Sequence, residues 1–205
     1  MQPKFLYFDL GKVLVDFSYD QMLAQIGAVA GLEPETVRAA IFDGDLLKQL
    51  ESGRLSSAEF YEAFCAATGR RPDFAALAAA ASEIFSLNLP VLPIVAGLQQ
   101  AGYRMGILSN TCELHWDYCS GRYRVVGDGF GVQALSFRIG AAKPEAAMFR
   151  AAAKLAGVRP EEIFYVDDMP QHVAGARAVG FDAVRFTTAR ALACELRQRG
   201  VRWNY

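Results

Sequence analysis

Apolar and aromatic residues crowd positions 4–8 (KFLYF) and stop abruptly at Asp9. A short unbroken apolar run is the pattern of a parallel strand buried on both faces. Two more runs share it: YRMGIL at 103–108 ends in Ser109, and EIFYV at 162–166 ends in Asp167 and Asp168. ALSFRI at 134–139 reads as a weaker strand, followed by Lys143 and Pro144. Between these runs the period lengthens to that of a helix. Residues 90–101 predict one helix, closed by Gly102. Pro144 predicts the start of another, in which Phe149, Ala152, Ala153 and Ala156 share a face, and residues 170–179 a third, closed by Gly180. Alternating strand and helix predicts an α/β fold: a parallel sheet with helices on both faces.

Residues 18–87 do not alternate. Ser18 with Gln21, and Ser56 with Glu59, have the spacing of helix capping boxes. Met22, Leu23, Ile26 and Val29 make one helical face, and Phe60 with Phe64 another. Pro34 and Pro72 suit helix starts, Gly31, Gly53 and Gly69 suit stops, and FAALAAAA at 74–81 is rich in helix formers. The reading is about four helices inserted after the first strand, which divides the chain into a core of residues 1–17 and 88–205 and a helical cap of residues 18–87.

At 205 residues the chain suits one sizeable core with a small lid. A formal net charge of -1 offers no bulk attraction to nucleic acid or anionic membrane, and no apolar run approaches the roughly 20 residues of a membrane helix. Cys65, Cys112, Cys119 and Cys194 form no CxxC pair, so reduced thiols and a cytoplasmic setting are expected. The oligomeric state is open.

Chemistry gathers at the strand ends. A carboxylate directly after a buried strand is costly unless something positive lies near. Asp9, Lys143 and the Asp167–Asp168 pair all follow strands, and the fold brings such ends to one sheet edge. Paired carboxylates beside a third invite a hard cation bound through oxygen, and magnesium suits a site completed by water and phosphate. Ser109 and Asn110 offer a hydroxyl and backbone N–H groups as a phosphate cradle, and Lys143 a fixed positive charge.

FDLGKVLVD, LSNT, AAKPEAAMF and YVDDMPQHVAGARAVG resemble, in order and spacing, the four motifs of the haloacid dehalogenase-like (HAD) superfamily, over nearly the whole chain. The resemblance implies a Rossmann-like core, a cap at 18–87, and an aspartyl-phosphate mechanism. It makes Asp9 the nucleophile and a metal ligand, with the Gly11 carbonyl and Asp168 also on magnesium. Ser109 and Asn110 would bind phosphate. Lys143 would neutralise nucleophile and phosphate, and Asp167 would support Lys143 or the metal. The usual pattern has a second Asp two residues after the nucleophile, acting as acid and base, where this chain has Gly11; FDLG also resembles bacterial sugar-phosphate phosphatases of the alpha-D-glucose-1-phosphate type. A second departure places His172 where Asp or Asn is usual.

The expected activity is therefore magnesium-dependent hydrolysis of a small phosphorylated metabolite, sugar phosphates among them, with His172 or a cap residue replacing the missing acid. Two alternatives stand beside it. A 2-haloacid dehalogenase needs no metal and has no use for Asp167–Asp168; a non-catalytic phospho-ligand-binding protein has no reason to keep Asp9 with Lys143. Arg54, Arg70, Arg71, Asp16 and Asp20 read as solvated charges, and Trp116, Tyr118 and Tyr123 as packing residues.

Overall fold

The computed structural model describes residues 2–204, so the two ends of the expected core, residues 1 and 205, lie outside the described residues. In chain order the elements are β1 (Phe5–Phe8), β2 (Val15–Asp16), α1 (Tyr19–Ala30), α2 (Pro34–Arg38), α3 (Leu46–Glu51), α4 (Ser57–Thr68), α5 (Phe74–Ser82) and β3 (Ser86–Leu87). There follow α6 (Leu92–Gln100), β4 (Met105–Ser109), α7 (Glu113–Arg122), α8 (Arg124–Gly127), β5 (Val132–Leu135), α9 (Ser136–Ile139) and α10 (Ala146–Ala156). The chain closes with β6 (Ile163–Asp167), α11 (Pro170–Ala178), β7 (Asp182–Arg185) and α12 (Ala189–Gln198).

Five parallel strands form one sheet in the order β5-β4-β1-β6-β7. All of β1 is buried because both faces are covered. Leu6 and Phe8 join Ile107, Phe164 and Val166 in a core layer beneath α6 and α12, while Phe5 and Tyr7 join Tyr165, Phe149 and Ala152 beneath α10 and α11. Side chains alternate faces along a strand, so one apolar run serves both layers. The chain leaves β1 toward β4 on one side and reaches β6 on the other. That reversal opens a crevice at the strands' carboxyl ends, the usual ligand position in such sheets.

A third apolar cluster lies in the insertion, built on Met22, Leu23, Ile26, Phe60, Phe64 and Leu77. It takes in Cys112 from the edge of the core. Ser18 caps α1 through the Gln21 N–H, although the Gln21 side chain turns instead to the Glu83 carbonyl. Ser56 and Glu59 complete a full capping box on α4. Where the chain enters and leaves the insertion, β2 and β3 pair antiparallel, Val15 with Leu87 and Asp16 with Ser86.

Several expectations need correction. ALSFRI is not one strand: β5 ends at Leu135 and Ser136 opens the short α9, because the Ser136 hydroxyl turns inward to bond the Thr111 N–H and the Glu51 carbonyl. Pro144 does not begin α10, which starts at Ala146; the Asn110 side chain holds the Lys143 backbone in place just before it. Val29 is exposed, and Ala30 takes its place on the buried face of α1. The insertion holds five α-helices rather than four. Trp116 is buried, and Tyr118 and Tyr123 pack against the same layer, as expected of packing residues.

Candidate active site

Three strands end on the crevice with a polar residue each. Asp9 follows β1 and is buried; its N–H donates to the Val166 carbonyl at 2.9 Å, which fixes the backbone across the β1–β6 gap. Ser109 ends β4 and Asp167 ends β6, both buried. The buried Lys143 reaches in from the loop before α10.

The Lys143 ammonium is the hub. It lies 2.9 Å from Asp9 Oδ1 and 2.7 Å from Asp167 Oδ2, and it donates to the Leu108 carbonyl at 3.1 Å and to the Tyr165 hydroxyl at 3.0 Å. Burial alone lowers an ammonium pKa, but Asp9 and Asp167 more than offset it and hold Lys143 above its ordinary value. Burial pushes the Asp9 carboxyl up to about 6, with Asp167 adding to the rise and Lys143 opposing it. Asp167 goes the other way: burial works to raise it, yet Lys143 and His172 hold it below the usual carboxylate range.

The two carboxylates are employed differently. On Asp9, the Lys143 ammonium and the Leu10 N–H at 2.7 Å both go to Oδ1, which leaves Oδ2 without a partner among the described residues. On Asp167 both oxygens are taken: Oδ2 by Lys143 and the Tyr165 hydroxyl, Oδ1 by the Met169 N–H at 2.8 Å, and both lie 3.1 Å from His172 Nδ1. A carboxylate with four donors around it has little capacity for a cation, although Asp9, Asp167 and His172 stand close enough together to hold one. Since a carboxylate only accepts, Nδ1 of His172 carries the proton, and the ring serves Asp167.

Asp168 differs from its neighbour. Its backbone carbonyl takes the Arg185 Nε at 3.0 Å, while its partly buried carboxyl lines the crevice, where burial and Asp167 raise its pKa. Gly11 lines it too. The Gly11–Val15 bridge uses the Val15 N–H to the Leu10 carbonyl and the Lys12 N–H to the Val15 carbonyl, and so leaves the Gly11 carbonyl free. Asp9 Oδ2, that carbonyl and the Asp168 carboxyl make an oxygen donor set that fits magnesium, with room for water.

Asn110 does not offer its side chain to a ligand. Its amide clasps the Lys143 backbone in both directions, Nδ2 to the carbonyl at 3.0 Å and Oδ1 from the N–H at 2.8 Å. These groups face a cavity of about 290 Å³, open to solvent, lined also by Phe17, Tyr19 and Glu51 from beyond β2. A smaller recess of about 40 Å³ adjoins it and shares Gly11, Phe17, Tyr19, Glu51 and Ser109. Glu51 was invisible to sequence reasoning; its one signal is a Glu closing a helix just before the Gly53 turn. Arg54 and Arg70 are exposed and Arg71 pairs with Glu62, so none of the three lines the crevice.

Known proteins resemble this chain in sequence and fold. A family profile described as haloacid dehalogenase-like hydrolase matches residues 6–180. The chain belongs to that family. A HAD relative, the D-ribitol-5-phosphate phosphatase of Bacteroides thetaiotaomicron, is 26% identical over 185 residues, which cover 87% of this chain and 89% of the relative. A HAD family enzyme of the same organism, solved as its magnesium complex, superimposes with a TM-score of 0.80 at 26% identity, covering 92% of this chain and 95% of that one. The HAD-like hydrolase structure from Porphyromonas gingivalis gives 0.83 at 24% identity, covering 96% and 99%. No helix among the described residues is long and apolar enough to cross a membrane.

Proposed function

We propose that this HAD hydrolase cleaves the phosphate monoester of a small hydroxylated metabolite, a sugar or polyol phosphate, with Asp9 as nucleophile. The observation that carries the reading is the split use of Asp9: Lys143 neutralises Oδ1 while Oδ2 stays free at the cavity. Attack of the Asp9 carboxylate on phosphorus expels the alcohol and leaves an acyl phosphate on Asp9; water then attacks that phosphorus, releasing phosphate and restoring the carboxylate. Ser109 and the Asn110 backbone N–H receive the phosphoryl oxygens, and Lys143 balances the charge gathered at the strand ends. Asp9, the Gly11 carbonyl and Asp168 would hold magnesium, which supplies Lewis-acid stabilisation of the phosphoryl group. Asp167 orients Lys143 in this scheme, because its oxygens are already occupied. The magnesium-bound HAD structure and the polyol-phosphate relative support the reading, and the cavity volume suits a substrate of that size.

A phosphatase screen over small phosphorylated metabolites, with magnesium and after chelation, tests it. Turnover should require the cation, and Asp168→Ala and Asp9→Asn should each abolish it in folded protein. Full activity after chelation, or halide release from 2-chloropropionate, would falsify the assignment.

A further inference from the structure

We propose that Glu51, carried by the insertion at the end of α3, is the general acid and base for the leaving-group oxygen. The proposal rests on the phosphatase reading and names the residue that reading lacks. A simple alcohol leaves phosphorus badly as an alkoxide, so a proton must reach its oxygen as the bond breaks. Position 11, two residues beyond the nucleophile, has no side chain to give one. The space is closed as well, since a Cβ on Gly11 would stand 2.8 Å from the Phe17 ring. An acid must therefore come from elsewhere.

Glu51 reaches both the main cavity and the inner recess, on the same rim as Gly11. Among the described residues its carboxyl forms no hydrogen bond or ion pair, while its backbone carbonyl accepts from the Ser136 hydroxyl at 2.5 Å. That hydroxyl also takes the Thr111 N–H at 2.9 Å, which pins the end of α3 to the loop following Ser109. The turn beyond is equally fixed. Gly53 has φ +69°, and a Cβ there would meet the Phe137 carbonyl at 2.3 Å, so α3 ends directly against α9. A carboxyl so placed is aimed by the backbone and left free by its neighbours. Burial pushes it up to about 7, with Asp9 adding to the rise and Lys143 opposing it, so both protonation states are populated near neutrality.

The other candidates are less well placed. His172 gives its Nδ1 proton to Asp167 and lines the main cavity, but not the inner recess that Gly11 and Glu51 share. Nε2 of His115, on the recess wall, lies 3.2 Å from the Ala81 carbonyl. Burial raises the Tyr19 hydroxyl far above neutrality, with Glu51 adding to the rise.

The protons balance across the cycle. As the Asp9–phosphorus bond forms and the ester bond breaks, the Glu51 carboxyl passes its proton to the departing oxygen. The Glu51 carboxylate then takes a proton from the water that attacks the acyl phosphate, and phosphate leaves.

The test compares kcat/KM, which reads only the steps through alcohol release, for p-nitrophenyl phosphate and for ribitol 5-phosphate. p-Nitrophenolate needs no proton to leave. Glu51→Gln should lose about 10²-fold or more on the polyol phosphate and under about 10-fold on p-nitrophenyl phosphate. Glu51→Asp should recover part of the difference, and its ratio serves equally if the Gln variant melts below assay temperature. Equal losses on both substrates, or none, would show Glu51 to be structural or idle and overturn the proposal. A wild-type protein inactive on both substrates with magnesium would remove the phosphatase reading itself, and Glu51's role with it.

Discussion

Gly11 shows how one missing side chain is tied to its surroundings. The Phe17 ring fills the place where a side chain at 11 would begin, and Phe17 itself packs against Tyr19 at 5.0 Å and Phe85 at 5.7 Å between ring centroids. An added methyl must displace a ring held by two others, and overpacking of this kind costs about 1–3 kcal/mol. Gly11→Ala should therefore lower both the melting temperature and kcat, and Phe17→Leu in the same chain should restore much of each. A double-mutant cycle by calorimetry and p-nitrophenyl phosphate kinetics gives the measurement; additive effects would mean that the two residues do not compete for space. Gly11→Asp, from sequence a direct way to supply the missing acid, is for the same reason expected to be a loss. The glycine was legible in the sequence and its neighbour was not, since Phe17 comes alongside only through the turn into β2.

At the scale of elements, legibility followed burial. β1, β4 and β6 are buried throughout because both faces of the sheet are covered, and their apolar runs stop at Asp9, Ser109 and Asp167. β7 escaped because it begins and ends in charge, Asp182 and Arg185, at the sheet's edge. α7 escaped as well, for its sequence ELHWDYCSGR mixes polar and apolar residues with no clean stripe. That helix carries His115, buried against the Ala81 carbonyl and edge-on to Phe85 at 5.1 Å. Burial pushes its pKa down to about 4, from an ordinary 6.5. Between those values the unfolded chain takes a proton that the folded protein refuses, so this contribution is full above pH 6.5 and lost as pH falls toward 4. At about 1.4 kcal/mol per unit the loss approaches about 3 kcal/mol. Asp9 and Glu51, with raised pKa values, act in the opposite sense, so the comparison must be with a variant. Urea midpoints at pH 7.5 and 4.5 should fall further for wild type than for His115→Gln. Parallel curves would mean that His115 is hydrated in solution.

For the whole molecule, the question is how the insertion meets the core. The expected cap of residues 18–87 joins the core at two crossings, few enough for a lid to swing on. The β2–β3 ladder occupies those crossings, and Asn88 stitches them further, its N–H to the Leu14 carbonyl and its side chain to the Val13 carbonyl. Away from them the insertion is also docked. Ser57 donates to Glu113 at 2.7 Å, Ser136 to the Glu51 carbonyl, and Cys112 sits in the insertion's own apolar cluster. The sequence could not announce these bonds, because each joins residues far apart in the chain through single polar groups. They make the arrangement a closed one, with Phe17, Tyr19 and Glu51 over the crevice. Opening must break the α7 and α9 contacts while the ladder stays paired, which confines the hinge to the segments flanking it. Hydrogen exchange with and without beryllofluoride and magnesium should then show slower exchange at 112–116 and at 51–55 on ligand binding. The amides of Val15 and Leu87 should change little. Loss of protection in the ladder would instead mean that the crossings themselves unzip. Unchanged exchange at 112–116 and 51–55 would mean that the insertion stays shut and substrate enters through the cavity mouth beside Met169.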